Sequence, residues 1–288
     1  MLYFYLISSL LFLQNEGSND SGEKNTTEVA TIDPAEALEK LKIAEKAGIE
    51  TVLLESIEEF ADIKDKKVIA EIATHLKHKS ENIRYAALKA LRFNEDPESL
   101  SRLLKFSKDK RLKTDTNYHV EYIYALGQKA DKKAAKIIKD DLVMSSAVDQ
   151  KVLAAKVLAL GRIREIDSIE TLMGFTVSGG RRGGARKRGG TVPMRQEVQT
   201  SLAVLTGVEL GNNAQAWNDW WNDNKRGFKI SSKEGTISNA RLDRRWKALW
   251  MTETEKAQAA EDAKKERQEK GKNDDKKKEK SEDGLIDF

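Results

Sequence analysis

Between Asp33 and about Phe228, apolar residues recur every three or four positions, a spacing that places side chains on one face of an α-helix. The first such segment starts with Asp33 and Pro34, which suit the N-cap and the first position of a helix, and it ends at Gly48. No run alternates apolar and polar residues between hairpin turns, so we predict no strands. The pattern predicts an all-α domain over residues 33–228.

The helical pattern is itself repeated along the chain. Four segments superpose in a self-comparison: residues 83–92, 120–128, 152–162 and 198–207. Each contains a late leucine, here called an anchor, and the anchors Leu91, Leu126, Leu160 and Leu205 are 35, 34 and 45 residues apart. A period near 35 is typical of a repeated helix–turn–helix unit. The third spacing is longer because a Gly/Arg-rich insertion falls within it.

An aspartate follows each of the first three anchors and is predicted to cap a second helix. Asp96, Asp131 and Asp167 are 35 and 36 residues apart, and an aspartate can accept hydrogen bonds from the free amides of a helix's first turn. Including a similar upstream pair at residues 51–79, we count about five helix pairs. We predict an α-solenoid in which stacked pairs share one core, with a concave binding face lined by the second helices.

These segments resemble HEAT repeats of the armadillo-like α-solenoid class over roughly residues 50–210. Residues 202–228 are similar to the closing element of exported bacterial HEAT-repeat proteins, in which a leucine–threonine–glycine turn precedes a Trp-rich segment. The matching residues are Leu205, Thr206, Gly207, Ala216, Trp217, Trp220 and Trp221. The resemblance implies protein–protein interaction without known catalytic residues, and it does not identify the partner.

The three tryptophans of the closing element share one helix face, because they stand at i, i+3 and i+4. We expect Trp217, Trp220 and Trp221 to form a structural cap over the apolar flank of the last repeat. The alternative is an aromatic surface that stacks on bases or sugars.

The insertion at residues 178–193 holds six of the 18 glycines and five basic residues without an acid. Its cations, Arg181, Arg182, Arg186, Lys187 and Arg188, could bind an anion such as nucleic acid, an anionic lipid surface or an acidic protein patch. The alternative is a solvated surface loop without a ligand. A second basic stretch, Arg241–Lys247, lies in a basic extension at residues 229–250.

The chain begins with an apolar segment, residues 2–14, which is too short for a spanning helix of about 20 residues but suits the core of a signal peptide. No basic residue precedes it and no Ala-x-Ala site follows. We expect residues 1–14 to be a signal peptide or N-terminal anchor, joined by a polar linker at residues 15–32, and the protein to be extracytoplasmic. In the alternative, the protein is cytoplasmic, and residues 1–14 do not belong to it because translation starts further downstream.

Composition leaves little material for catalysis, because the chain has no cysteine and three histidines. Glu71, His75 and His78 stand at i, i+4 and i+7 and could ligate zinc, but the favoured interpretation is a solvated polar face. His119 has no general-base partner in sequence. We therefore predict no catalytic, cofactor or metal site, although enzymes such as phycobilin lyases exist among HEAT-like proteins.

The function that follows is a non-enzymatic scaffold or adaptor that binds another protein, with membrane contact only through the N-terminal segment and no small-molecule substrate. The alternative is nucleic-acid or polyanion binding through residues 178–193 and the basic stretch. Residues 251–288 carry 10 basic and 12 acidic residues and are predicted to be a charged, largely disordered tail whose first half could be helical.

Overall fold

The computed structural model describes residues 32–140, 142, 149–177, 195–211, 213–265 and 268. Asp33–Phe288 form one compact unit. Throughout these described residues the regular secondary structure is helical, which confirms the prediction of an all-α solenoid. The Gly/Arg-rich insertion and residues 1–31 lie outside the described residues.

Between residues 34 and 250 the described α-helices are numbered α1 to α13 in chain order. They are α1 (Pro34–Ala47), α2 (Glu50–Glu59), α3 (Lys66–Thr74), α4 (Glu81–Phe93), α5 (Pro97–Phe106), α6 (Arg111–Thr114), α7 (Thr116–Gln128), α8 (Lys132–Lys139), α9 (Gln150–Arg162), α10 (Ile166–Val177), α11 (Arg195–Thr206), α12 (Ala214–Asn224) and α13 (Ala240–Trp250). A 3₁₀ turn, His75–Lys77, follows α3, and residues 253–265 form a largely exposed further helix.

The helices alternate between two layers. One layer, here called the anchor layer, contains α2, α4, α7, α9 and α11, each in contact with the next. The second layer contains α1, α3, α5, α8, α10 and α12. The four anchor leucines lie in the anchor layer with at most 1% of their surface exposed, so the repeated position that the sequence analysis singled out is the centre of the continuous core.

Two of the three predicted aspartate caps are confirmed. The carboxylate of Asp96 accepts a hydrogen bond from the amide of Glu98 at the start of α5, and Asp131 does the same for Lys133 at the start of α8. The prediction for Asp167 is wrong, because α10 already begins at Ile166 and the aspartate lies within its first turn. There its carboxylate forms an ion pair with Lys139 of α8.

The glycines that follow two of the anchors allow neighbouring helices to approach closely. A Cβ atom at Gly127 would lie 2.8 Å from Cβ of Ala159 in α9, and one at Gly161 would lie 2.8 Å from Cβ of Ser201 in α11. Carbon atoms pack at about 3.5–4 Å, so glycine is required at both positions. The equivalent residue in α4 is Arg92, and α4 and α7 are in less extensive contact than α7 and α9.

Candidate functional site

Residues 229–250, here called the C-terminal segment, return along the ends of the anchor-layer helices. The amide of Gly235 donates to the carbonyl of Val204 in α11 over 2.8 Å. The guanidinium of Arg164 donates to the carbonyls of Ser231 and Lys233 at 2.6 and 2.7 Å. Within the segment, all of these hydrogen bonds involve main-chain atoms. They therefore fix its path whatever side chains it carries there.

Helix α13 ends the C-terminal segment and packs through two indoles one turn apart. Trp246 and Trp250 are 2% and 7% exposed, with ring centroids 5.3 Å apart in an edge-to-face arrangement. The Trp246 indole N–H donates to Glu234 over 2.9 Å. Asn239 caps the helix by accepting from the amides at its start. Residues at i and i+4 share a helix face, so both indoles reach the anchor layer together.

Trp250 lies over Gly127 between two guanidinium groups. The Arg92 and Arg162 guanidinium carbons are 5.9 and 5.2 Å from the indole centroid, distances at which cations interact with aromatic faces. Arg92 also donates to the Leu249 carbonyl and lies 3.2 Å from a carboxylate oxygen of Glu121. The pKa of Arg92 is lowered mainly by its burial. The Leu249 carbonyl and the Glu121 carboxylate compensate the buried charge.

A groove of about 450 Å³ remains where α13 leaves the anchor layer, between α2, α4, α7 and the chain after α13. Its apolar lining consists of Leu54, Ala86, Leu88, Phe93, Ala248 and Leu249. Its charged lining consists of Glu58, Lys89, Arg92, Glu121, Glu253 and Lys256. Opposite charges therefore surround an apolar floor.

Two tyrosines line the groove as hydrogen-bonding groups. Burial is the largest cause that raises the pKa of Tyr85 to about 12, and burial also raises the pKa of Tyr124. Both phenols are therefore protonated at neutral pH and can donate hydrogen bonds to a ligand. The groove can thus bind apolar side chains, pair with charges of either sign and donate to carbonyl groups.

The repeat architecture has a match among known families. The family model for HEAT repeats matches residues 38–114, from within α1 to the end of α6. Over these residues the chain is similar to HEAT repeats. No curated protein matches the sequence at a significant level.

The solenoid is also similar to human deoxyhypusine hydroxylase in complex with glycerol, at 19% identity and a TM-score of 0.37. The similarity covers 59% of this chain and 62% of that one, so the chain spans less than two thirds of that enzyme. Among the described helices, none has both the length and the hydrophobicity needed to cross a membrane.

The groove lies on the anchor layer, whereas we expected the binding face on the second helices, α5, α8 and α10. The predicted anion-binding residues Arg181, Arg182, Arg186, Lys187 and Arg188 lie outside the described residues. The basic stretch belongs to α13, where Arg241, Arg244, Arg245 and Lys247 are exposed. Lys247 pairs with Asp243 over 2.7 Å.

The tryptophans of the closing element lie at the end of the second layer, on α12, which packs against α10. Trp217 and Trp221 are 2% and 7% exposed, and Trp220 is half-buried. The Trp217 indole donates to the Gly211 carbonyl over 3.1 Å, and the rings of Trp220 and Trp221 both contact Phe228. The burial of two indoles favours the cap over the stacking surface, and the cap stays a prediction.

Of the three residues considered for zinc, His75 does not lie on a solvated face. His75 is 2% exposed, and burial is the main cause that lowers its pKa, opposed by the charge of Glu45. Nδ1 of His78 accepts a hydrogen bond from the Ser80 amide over 3.1 Å. The favoured sequence interpretation is therefore wrong for His75, and α1 supplies a neighbour, Glu45, that the sequence pattern does not indicate.

Sequence reasoning also missed Arg92, which lines the groove, and Trp250, whose ring lies beside Arg92. Two signals were present in the sequence. Arg92 replaces the glycine that follows the anchor at positions 127 and 161, and Trp246 and Trp250 stand at i and i+4 in the basic extension. An aromatic pair at helical spacing indicates a buried face even among arginines.

Proposed function

We propose that the protein is a non-enzymatic scaffold that binds an extended segment of another protein in the groove on the anchor layer. The observation that carries the proposal is the groove itself, in which an apolar floor is surrounded by charges of both signs and two protonated tyrosines. An extended peptide presents apolar side chains, charges and free carbonyls together, so it matches each of these features.

HEAT repeats support this proposal at the level of the fold, because their stacked helices commonly form extended binding surfaces. The two walls of the groove also come from different parts of the chain. On one side it is lined by α2 and α4 of the matched repeats, and on the other by Ala248 and Leu249 of α13. The C-terminal segment would thus complete a binding site that the repeats begin.

Photo-crosslinking from defined positions tests the proposal. A photoreactive amino acid at Lys89 or Glu253, both exposed in the groove, should capture the same partner protein from cells that produce the full chain. The matched control positions are Lys105 and Lys136, which are exposed on the second layer. Equal capture from these positions would contradict the groove as the binding site.

A charge reversal provides the second arm of the test. Lys89→Glu should weaken the capture from Glu253, because it places a third carboxylate beside Glu58 and Glu121 in the groove. Lys105→Glu on the second layer should leave that capture unchanged. If both reversals have the same effect, the partner recognises overall charge rather than the groove.

Export completes the proposed function. The apolar segment at residues 2–14 supports it, since its length suits a signal-peptide core. Fractionation with N-terminal sequencing should give a mature start near residues 15–22 in an extracytoplasmic fraction. Recovery of the intact chain in the cytoplasm would contradict export.

A second candidate function, polyanion binding, is favoured by the exposed basic face of α13. Arg241, Arg244 and Arg245 are exposed and form no ion pair with another described residue, so they are accessible to phosphate or sulfate groups. Such binding rests on counterion release and should weaken steeply with salt. Retention on heparin that is insensitive to Arg244→Ala and Arg245→Ala would contradict it.

A further inference from the structure

Three potential metal ligands from two helices and the following 3₁₀ turn meet at the amino-terminal end of the second layer. Glu45 lies in the last turn of α1, Glu71 in α3, and His75 at the start of the 3₁₀ turn. One carboxylate oxygen from each glutamate and one ring nitrogen of His75 all lie within 4.8 Å of one another. The cluster is separate from the groove, none of whose lining residues it shares.

The state of His75 is an independent indication of a ligand. The residue is 2% exposed, and its Nε2 atom is fully buried without a hydrogen-bond partner among the described residues. Buried polar atoms are almost always satisfied, so an orphaned one calls for a missing partner. The carboxylates beside the ring are also free of any ion pair or side-chain hydrogen bond within the described part of the chain.

His78 is excluded from this cluster by its own contacts. Its Nδ1 atom accepts from the Ser80 amide, which fixes the proton on Nε2 when the ring is neutral. Its ring packs edge-on to that of His75 with centroids 6.2 Å apart. His78 therefore supports the orientation of His75 through packing, and Glu45 takes the third position.

We propose that Glu45, Glu71 and His75 bind one divalent metal ion of the class that Zn²⁺ represents. Zinc accepts imidazole nitrogen and carboxylate oxygen together, whereas Mg²⁺ prefers oxygen alone. With bonds of about 2.0–2.1 Å, tetrahedral ligand atoms lie roughly 3.3 Å apart. Small rotations of the exposed Glu45 and the half-buried Glu71 bring the three atoms to that separation.

The ion would connect α1 to α3 and retain at least one open position. Three protein ligands leave a tetrahedral ion one position for water or for a group from a partner. Because Glu45 is exposed, solvent reaches that position. The site thus stabilises the first helices of the solenoid and offers a coordination point on the opposite layer from the groove.

Calorimetric titration of the full chain with ZnSO₄ tests the site. We expect one Zn²⁺ per chain and an unfolding midpoint that rises with free Zn²⁺ above its Kd. Glu45→Gln and Glu71→Gln, which keep the shape of each side chain, should each weaken binding about tenfold or more, since even the loss of a group that only supports a ligand costs that much. Glu39→Gln, an exposed position on α1, is the matched control and should leave the Kd unchanged.

Nitrogen chemical shifts of the imidazoles identify the ligand without altering the buried ring. The chain has three histidines, so their signals can be assigned individually. Zn²⁺ should shift the His75 nitrogens and not those of His119. The proposal is overturned if Zn²⁺ up to ~1 mM, a concentration that would detect even weak binding, produces no saturable heat. It is equally overturned if Glu39→Gln weakens binding as much as Glu45→Gln, or if another histidine carries the shift.

Discussion

The two ends of the anchor layer are built differently although they follow the same repeat. At the carboxyl end, α9, α11 and part of α7 are covered by the C-terminal segment, with Trp246 and Trp250 buried beneath α13. At the amino end, α2 and α4 face the open groove. The residue that follows the anchor leucine differs between the two ends: it is Arg92 in α4 and glycine in α7 and α9.

Glycine at this position permits two close approaches at once. At Gly127 the missing side chain admits both Ala159 of α9 and the indole of Trp250. Arg92, in the equivalent place on α4, instead reaches outward to the Leu249 carbonyl, to Glu121 and towards the Trp250 ring. The same repeat position is therefore a packing surface in one half and a groove wall in the other.

The largest expected effect comes from removing the indole that joins the two ends. Trp250→Ala should lower the free energy of unfolding by ~3–5 kcal/mol, the usual cost of truncating a large buried aromatic side chain. Urea unfolding followed by far-UV circular dichroism measures this change. The matched control on the same helix is Arg244→Ala, at an exposed position, which should change stability little.

Hydrogen exchange then tests where the loss occurs. In Trp250→Ala, amides of α7, α9 and α11 should lose protection while those of α1 and α3 keep it, because the contacts of Trp250 among the described residues lie on α4, α7 and α9 and not on the first helices. A uniform loss along the solenoid would contradict the distinction between the two ends.

A smaller effect is expected from adding a methyl group at the glycines of the covered end. Gly127→Ala and Gly161→Ala should each cost about 1–3 kcal/mol, because the new Cβ overlaps atoms of the neighbouring helix. As a control, Gly174→Ala in α10 should change the free energy of unfolding in the opposite direction. Within the described part of the chain, a Cβ there meets no atom of another element within 4 Å, so alanine should stabilise the helix by about 0.5–1 kcal/mol.

These glycines show how far sequence reasoning reaches. The anchors and the helices were predictable because their apolar spacing is local and repeated, and Leu126 and Leu160 are fully buried as expected. The error at Asp167 arose because aspartate suits both a cap and the first turn of a helix. Local spacing distinguishes these two positions poorly.

The groove and the metal-ligand cluster depend on contacts between distant parts of the chain. Arg92 meets Leu249, and Glu45 meets His75, across different helices. No periodicity encodes such pairs. Basic residues also surround the two indoles of α13, so the composition of the segment indicates an exposed helix while its aromatic spacing indicates a buried face.

Acid should affect the covered end through His119 on α7. Burial, and then the positive charge of Lys156, lowers the pKa of His119 to about 4 from its ordinary 6.5. The unfolded chain therefore binds a proton that the folded chain rejects between these values, so stability present above pH 6.5 is lost as the pH falls towards 4. His119→Gln should reduce this loss in urea midpoints measured across that range.

A histidine at the amino end, His75, limits how much of the acid sensitivity the His119→Gln substitution can remove. Burial also lowers the pKa of His75, so part of the acid sensitivity has the same sign and persists in His119→Gln. Above pH 7 the midpoints of the parent and the variant should run parallel, because both rings are neutral there. An unchanged slope between pH 6.5 and 4 in the variant would contradict the assignment.

The smallest expected effect on stability comes from deleting residues 179–190, within the long connection between α10 and α11. The deletion shortens the distance from Leu160 to Leu205 from 45 to 33 residues, close to the other two spacings. Residues 178 and 191–194 remain, and connections of about 2–8 residues commonly join packed helices. Because α10 and α11 contact each other directly, the urea midpoint should stay nearly unchanged. Heparin retention then separates the two interpretations of the insertion: a salt-sensitive loss of retention supports anion binding by Arg181–Arg188, whereas unchanged retention assigns any anion affinity to the exposed arginines of α13.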